Sequence, residues 1–158
     1  MHHRLCVIHS FDPRGSKVGG LETFIRDMLA FAPDDFSFLM IGVDAIGDQT
    51  LGQVSKQTFR GKSYDFLPVL HFPDDKAREA AKKLGDSINF QFMKGLIKHL
   101  TMVRRTLKQT PTSVDLQRVE FAPLVRALNV PFVQMLHGEG APKLKMDSLL
   151  KSYRYVHN

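Results

Sequence analysis

The chain has 158 residues, of which 43% are hydrophobic and 24% are charged, a composition that excludes a disordered chain and fits one folded domain with its own core. Its 22 lysines and arginines exceed its 16 aspartates and glutamates. This positive balance suits a phosphate-bearing ligand or an anionic lipid surface, although a basic solvated surface would produce it as well. Since no nucleic-acid recognition motif is present, we expect no nucleic-acid partner.

The single cysteine, Cys6, lies within an apolar run, so the sequence offers no disulfide framework and indicates a reducing compartment. No apolar run approaches the ~18 residues that cross a bilayer, and the N-terminal run is too short for a secretion signal. We therefore expect a cytoplasmic protein. The histidines His71 and His99 lack partners at metal-ligand spacing, so no metal site is predicted.

The first half of the chain alternates apolar runs with an amphipathic stretch. The apolar run Arg4–Phe11 predicts a buried parallel strand, and Phe36–Val43 predicts a second one. Between them, apolar residues recur at helical spacing over Leu21–Leu29, and Pro33 ends that helix. A third strand is predicted around Tyr64–Leu70, within a polar segment spaced by glycines.

The second half continues the alternation. The patterns predict helices over Pro73–Leu84, Phe90–Lys108 and Ala122–Asn129, and strands over Ser113–Phe121 and Val130–Gly138. A last helix is expected to begin in the segment that follows. Strands that alternate with helices favour a single α/β domain over residues 1–158, with a parallel sheet and right-handed crossovers.

Two adjacent glycines, Gly19 and Gly20, lie between the first strand and the first helix. A helix N-terminus offers unpaired N–H groups and the positive end of the helix dipole, and glycine lets a phosphate approach them closely. Arg14 and Lys17, in the same loop, would add positive charge. These four residues are the predicted phosphate-binding group, although a tight turn without a ligand explains the glycines equally well. The spacing matches neither the dinucleotide fingerprint nor the P-loop.

Two longer stretches, "GGLETFIRDML" and "VDLQRVEFAPLVRALNVPFVQMLHGEG", occur in a characteristic order. Together they resemble the N-terminal half of a GT-B glycosyltransferase of the large retaining family 4, over roughly residues 4 to 140. That family has a G-G-x-E first loop that leads into the first helix, a later strand that begins with an aspartate and carries histidine or glutamate, and a fifth strand that ends in histidine followed by glycine. The matching positions here are Gly19, Gly20 and Glu22, then Asp115–Glu120, then His137 and Gly138.

The resemblance implies a Rossmann-like, doubly wound parallel sheet. It also implies a nucleotide-diphosphate sugar as donor substrate, a glycan or lipid-linked acceptor, and no cofactor or metal. In that family a second domain with an E-x7-E motif grips the donor. No such domain follows in this sequence, so we expect a fragment that is inactive on its own and lacks its C-terminal donor domain.

By the resemblance, His137 is the catalytic candidate, because it would donate a hydrogen bond to the charge that develops on the leaving diphosphate. Glu120, Gly138 and Glu139 are the substrate-binding candidates, since carboxylates accept hydrogen bonds from sugar hydroxyls. A strand-end histidine bonded to a loop, and solvated loop carboxylates, are the plainer interpretations. Many family members have histidine where this chain has Arg118 or Glu120, so the motif supports an acceptor role less well at these two positions.

A basic, amphipathic helix is the remaining feature. Lys94, Lys98, Arg104, Arg105 and Lys108 lie near its apolar stripe. Such a helix can lie on an anionic membrane, here the inner membrane face, or it can cover a sheet with its lysines solvated.

Two other functions remain open at this point. One is a non-catalytic Rossmann-like module that binds phosphate or sugar. The other is an oxidoreductase domain, which is disfavoured because the fingerprint is absent and no acidic residue clearly ends the second strand, Asp44 being the nearest. His9 and Ser10 end the first strand, where they either line the cleft or satisfy loop backbone groups.

Overall fold

The computed structural model describes residues 3–73 and 84–135. It contains six strands and four α-helices in an α/β arrangement, with two short 3₁₀ turns at Leu84–Asp86 and Val119–Phe121. In chain order the elements are β1 (Arg4–Ile8), α1 (Gly20–Phe31), β2 (Ser37–Asp44), β3 (Ser55–Phe59), β4 (Lys62–His71), α2 (Ile88–Lys98), α3 (Leu100–Lys108), β5 (Thr112–Leu116), α4 (Ala122–Ala127) and β6 (Phe132–Gln134).

The six strands form one sheet in the order β3-β4-β2-β1-β5-β6. All neighbours run parallel except β3, which is antiparallel to β4. In the centre, Cys6 of β1 is paired with Leu39 of β2 on one side and with Val114 of β5 on the other. The predicted α/β class with a mainly parallel sheet is therefore confirmed.

Helices cover both faces of the sheet. Successive strand residues point to opposite sides, and because the central strands are apolar throughout, both faces must be covered. On one face, Ile25 and Leu29 of α1 pack against a core that includes Met40 and Phe66. On the other face, α2, α3 and α4 cover a larger apolar core. Its most buried members include Ile8, Leu39, Ile41, Leu67, Phe92, Leu96, Val103, Leu116 and Phe121.

Strand β3 was not predicted from the sequence, and the expected alternation of strands and helices is wrong between β2 and β4. β3 and β4 form a hairpin whose turn, Arg60 and Gly61, has φ of 48° and 81°. Positive φ at both turn residues matches the twist of a two-residue hairpin. β3 is a polar edge strand, and Lys56 on it is largely exposed, which discourages pairing with another chain.

The predicted single helix Phe90–Lys108 is also wrong, because it consists of α2 and α3 with a break at His99 (φ −102°, ψ 18°). The break lies against the loop between β2 and β3, where a Cβ atom at Gly52 would come within 2.5 Å of His99 Nδ1. A tertiary contact therefore accompanies the change of helix direction.

Other boundaries shift by smaller amounts. α1 ends at Phe31, just before Pro33, as predicted. β5 ends at Leu116 rather than at Phe121, because the chain turns into a 3₁₀ helix. The predicted helix near 73–84 falls mainly in residues 74–83, and the end of the last predicted strand and the final helix fall in 136–158, all outside the described residues. None of the described helices is long and apolar enough to cross a membrane.

Candidate functional site

The carboxyl ends of β1 and β5 lie side by side in the centre of the sheet. From β1 the chain passes to α1 on one face, and from β5 it passes to α4 on the other. Such a reversal marks the place where open parallel sheets bind ligands. We call this region the β1/β5 edge and define it as His9–Gly20, the first turn of α1 and the residues Gln117–Glu120 that follow β5.

Glu22 lies at the centre of the edge, in the first turn of α1. Its Oε1 is 2.7 Å from Lys17 Nζ and 3.6 Å from His9 Nε2. The Glu22 side chain is 8% exposed, and that of His9 is fully buried. A Cβ atom placed on Gly19 would collide with Glu22 Oε2, whereas one on Gly20 would have nothing within 4 Å. The anion that comes close to the glycine backbone is therefore the chain's own carboxylate.

The ionisation of these groups follows from their surroundings. The pKa of the Glu22 carboxyl lies well below its usual range, because the neighbouring His9 ring and the Lys17 ammonium lower it by more than burial raises it. Burial lowers the pKa of His9, and the nearby charges of Arg118 and Lys17 act in the same direction. At neutral pH the site thus holds a neutral imidazole beside a carboxylate–ammonium pair.

Neither ring nitrogen of His9 has a hydrogen-bond partner in the part of the chain that the structure describes. A buried polar group without a partner is unfavourable by about 1–3 kcal/mol, so such groups call for an explanation. The sequence predicts for His9 either a place in the cleft lining or a hydrogen bond to loop backbone groups, and it does not predict the contact with Glu22. Its position as the first residue after β1 was the one signal for it.

A side chain of α1, Arg26, holds the loop that carries Lys17 by hydrogen bonds. The Arg26 guanidinium donates to the carbonyl oxygens of Pro13 (3.1 Å), Gly15 (2.5 Å) and Lys17 (2.8 Å). The same guanidinium lies 4.8 Å from the centre of the Phe11 ring. One helix side chain thereby holds three carbonyls of the loop, a role that helical spacing alone did not reveal.

Arg14, a predicted phosphate ligand, is directed at carboxylates. Its guanidinium lies 2.8 Å from Asp12 Oδ2, 3.2 Å from Asp44 Oδ1 and 2.8 Å from Asp48 Oδ1. The Asp12 and Asp44 side chains are fully buried. In this arrangement the guanidinium anchors the β1–α1 loop to the end of β2. A phosphate-binding role for Arg14 stays a prediction that these contacts do not favour.

Asp44 is the last residue of β2, one position beyond the predicted strand. It accepts hydrogen bonds from the N–H groups of Gly47 and Gln49, each at 2.9 Å, and lies 3.0 Å from His71 Nδ1. Together with Arg14, these groups use both carboxylate oxygens. Asp44 is therefore committed to the fold and is not directed at a ribose.

The β5 side of the edge supplies Arg118 and Glu120, whose Nη1 and Oε1 atoms are 3.5 Å apart. The Glu120 side chain is 47% exposed, so it is accessible to a ligand. Ser10 donates to Asn89 Oδ1 at 2.5 Å and ties the end of β1 to the start of α2. The structure thus brings Gly19, Gly20 and Lys17 together at one edge with Glu120. His137, Gly138 and Glu139 lie outside the described residues.

A basic surface lies on α2 and α3. Lys94, Lys98, Arg104, Arg105 and Lys108 are all exposed there. The sequence between Asp86 and Asp115 contains no acidic residue. Two exposed apolar side chains, Ile97 and Met102, lie on the same two helices.

Within residues 3–73 and 84–135, no group of three metal-ligating side chains is close enough to hold a metal ion. Comparisons of the chain with protein-family models, curated proteins and solved structures return no match. The likeness to a glycosyltransferase therefore rests on the sequence motifs alone.

Proposed function

We propose that the chain is the acceptor-side, Rossmann-like domain of a retaining GT-B glycosyltransferase. The observation that carries the proposal is the strand order. The five parallel strands follow the order β4-β2-β1-β5-β6, in which the winding reverses at β1. Doubly wound, Rossmann-type sheets have this strand order, which supports the proposal, and the glycine loop lies at the reversal. The antiparallel strand β3 replaces the helix that usually joins the second and third parallel strands.

In the proposed reaction a nucleotide-diphosphate sugar places its phosphates near the first turn of α1. The bond between the anomeric carbon and the donor phosphate oxygen breaks, and a bond to the acceptor oxygen forms on the same face of the sugar. The acceptor's proton passes to the leaving phosphate oxygen. Glu120 and Glu139 would accept hydrogen bonds from acceptor hydroxyls, with Gly138 leaving room beside them. His137 would stabilise the leaving diphosphate by a hydrogen bond.

Two alternative functions compete with this proposal. An oxidoreductase would need an acidic residue at the end of β2 for the ribose, but Asp44 there is bonded to Arg14 and to backbone N–H groups. This contact set disfavours dinucleotide binding. A non-catalytic module that binds phosphate or sugar would use the same glycine loop, and it differs only in whether a donor-binding domain exists.

Binding is tested by titrating the ¹⁵N-labelled chain with UDP-, GDP- and ADP-sugars and with NADH. We expect a sugar nucleotide to shift the amide signals of Gly19 and Gly20. A Gly20→Val variant should weaken that binding, because a side chain would fill the open space above the helix N-terminus. Thr23→Val, an exposed position on the same helix, is the control. Saturable NADH binding without sugar-nucleotide binding would overturn the proposal.

The coding sequence beyond Asn158 separates the transferase from the binding module. A further α/β unit with an E-x7-E pair supports a transferase whose donor half follows. A stop codon at that point supports the module.

We also propose peripheral contact of the basic surface on α2 and α3 with an anionic membrane, which would place the protein at the cytoplasmic face. Exposed basic residues beside Ile97 and Met102 are the combination that favours an anionic lipid surface. Flotation with vesicles containing phosphatidylglycerol tests it, with phosphatidylcholine vesicles as control. We expect the double change Lys98→Glu and Arg105→Glu to abolish flotation. Equal flotation of this variant would contradict the proposed surface.

A further inference from the structure

The first turn of α1 is a place for an anion. The initial N–H groups of a helix have no intrahelical partner, and the helix dipole makes this end positive. Gly19, the N-cap residue, provides no side-chain cap. The carboxylate of Glu22 lies over Gly19 instead. The chain therefore fills its own anion position.

The partners of Glu22 are those that a phosphate would use. Lys17 provides an ammonium group at 2.7 Å, and His9 provides a ring nitrogen at 3.6 Å, beyond hydrogen-bond length. His9 is fully buried, and its two ring nitrogens have no hydrogen-bond partner among the described residues. The histidine thus faces the anion position without being satisfied by the anion that occupies it. A ligand oxygen closer to the ring would make the missing bond.

The position lies close to exposed residues of the loop and of the helix start. Val18 is 71% exposed, and Gly20 is also exposed at the start of the helix. The backbone at Lys17 is held by Arg26, so the path of the loop does not depend on the pairing of the Lys17 ammonium group with Glu22. An entering group would have to displace the Glu22 side chain from its contact with Lys17.

We propose that Glu22 is an internal placeholder in an anion site formed by Gly19, Lys17 and His9, and that a ligand phosphate displaces its carboxylate. This inference rests on the proposed function for the source of the phosphate, a nucleotide diphosphate. Glu22 is then a residue that sets the affinity of the site, since phosphate must compete with it. When the phosphate leaves, the carboxylate returns and keeps Lys17 and the helix end paired.

Inorganic diphosphate is the probe, with binding measured by calorimetry at pH 7.5. We expect Glu22→Gln to bind it about tenfold more tightly than the unmodified chain, because a nearby like charge has been removed. Adding Lys17→Met to that variant should remove the gain. Asp34→Asn is the matched control, since Asp34 is an exposed carboxylate that pairs with Lys62 near the end of α1. The affinity of Asp34→Asn for diphosphate should differ from that of the unmodified chain by less than about twofold.

The proposed placeholder role would be overturned if Glu22→Gln left the affinity for diphosphate unchanged, or if Asp34→Asn raised it equally. A second measurement covers a variant that fails to fold. In the unmodified chain, saturating diphosphate should shift the ¹³C signal of the Glu22 carboxyl and leave that of Asp34 unchanged. If the Glu22 signal does not move, the inference fails.

These outcomes are separate from those of the proposed function. A gain with diphosphate in Glu22→Gln, together with no binding of any sugar nucleotide, would refute the transferase and leave the anion site. Sugar-nucleotide binding without any gain in diphosphate affinity in Glu22→Gln would refute the placeholder role and leave the proposed transferase.

Discussion

The carboxylate of Glu22 lies over Gly19, so closely that a Cβ atom at position 19 would collide with Oε2. A side chain at position 19 therefore requires the flexible Glu22 side chain, three residues later, to shift. The neighbouring Gly20 has open space around its Cβ position. The two glycines of the loop thus have different roles, although they look equivalent in the sequence.

The first prediction concerns Gly19→Ala. The new methyl group should push the flexible Glu22 side chain away from His9 and Lys17, and the free energy of unfolding should fall by about 1 kcal/mol. The pKa of His9 should fall further, because Glu22 is the neighbour that raises it. Urea denaturation and the pH titration of the His9 ring signals by NMR measure the two effects. Gly20→Ala should leave the His9 titration unchanged, and an unchanged titration in Gly19→Ala would contradict the prediction.

The central strands were predictable because their signal is local. Cys6, Ile8 and Leu39 belong to continuous apolar runs. A strand that is covered by helices on both faces needs apolar side chains at every position, so its sequence is apolar throughout. The end of α1 was predictable for the same reason, since Pro33 acts within its own segment. Strand β3 gave no such signal. It is a half-exposed edge strand whose polar residues resemble a loop.

Contacts between distant segments account for the rest. The break at His99 accompanies packing against Gly52, which lies far away in the sequence. In the site, the loop position was predictable from the order of strand and helix. The approach of His9 to Glu22 was not, because it depends on the loop path that Arg26 fixes. Sequence patterns therefore located the edge and left its internal pairing undetermined.

The second prediction concerns Gly95 in α2. A Cβ atom there would collide with the carbonyl oxygen of Val69 in β4, which belongs to the backbone and cannot turn away. We expect Gly95→Ala to lower the free energy of unfolding by about 1–3 kcal/mol. Gly20→Ala, also in a helix, should raise it by up to about 1 kcal/mol because no atom blocks the methyl group. Urea denaturation of both variants gives the comparison, and the same sign for both would refute this account.

The third prediction concerns Arg14. Removing its guanidinium by Arg14→Ala leaves the buried carboxylates of Asp12 and Asp44 without their main cation. We expect a loss of about 3 kcal/mol in the free energy of unfolding. Arg14→Lys should fall between this variant and the unmodified chain, because an ammonium keeps the charge and loses the planar fork.

The control for Arg14 is Lys56→Ala, which removes an ion pair with Asp65 (2.8 Å) from an exposed lysine. Its effect should stay below about 1 kcal/mol, as is usual for surface pairs. If Arg14→Ala were as mild as Lys56→Ala, the carboxylate cluster would not anchor the loop.

The fourth prediction concerns acid sensitivity, and it follows from the lowered pKa of His9. Burial keeps the His9 ring neutral in the folded chain, while in the unfolded chain it binds a proton near its ordinary pKa of 6.5. The unfolded state therefore binds more protons as the pH falls, and the free energy of unfolding decreases. Below pH 6.5, each such histidine lowers the free energy of unfolding by at most about 1.4 kcal/mol per pH unit. His99, whose pKa is lowered by burial and by Lys98, acts in the same direction.

The measurement is urea denaturation at several pH values between about 7.5 and 5, above the range in which most carboxylates titrate. We expect His9→Asn to lose stability less steeply with falling pH than the unmodified chain does, whatever its stability at pH 7.5. His99→Asn should reduce the slope separately, so the double variant should be the least acid-sensitive. A slope in His9→Asn equal to that of the unmodified chain would mean that His9 is protonated in the folded state. The imidazole would then be a cation beside Glu22, and the site would hold its carboxylate far more tightly than the 3.6 Å separation of the two side chains indicates.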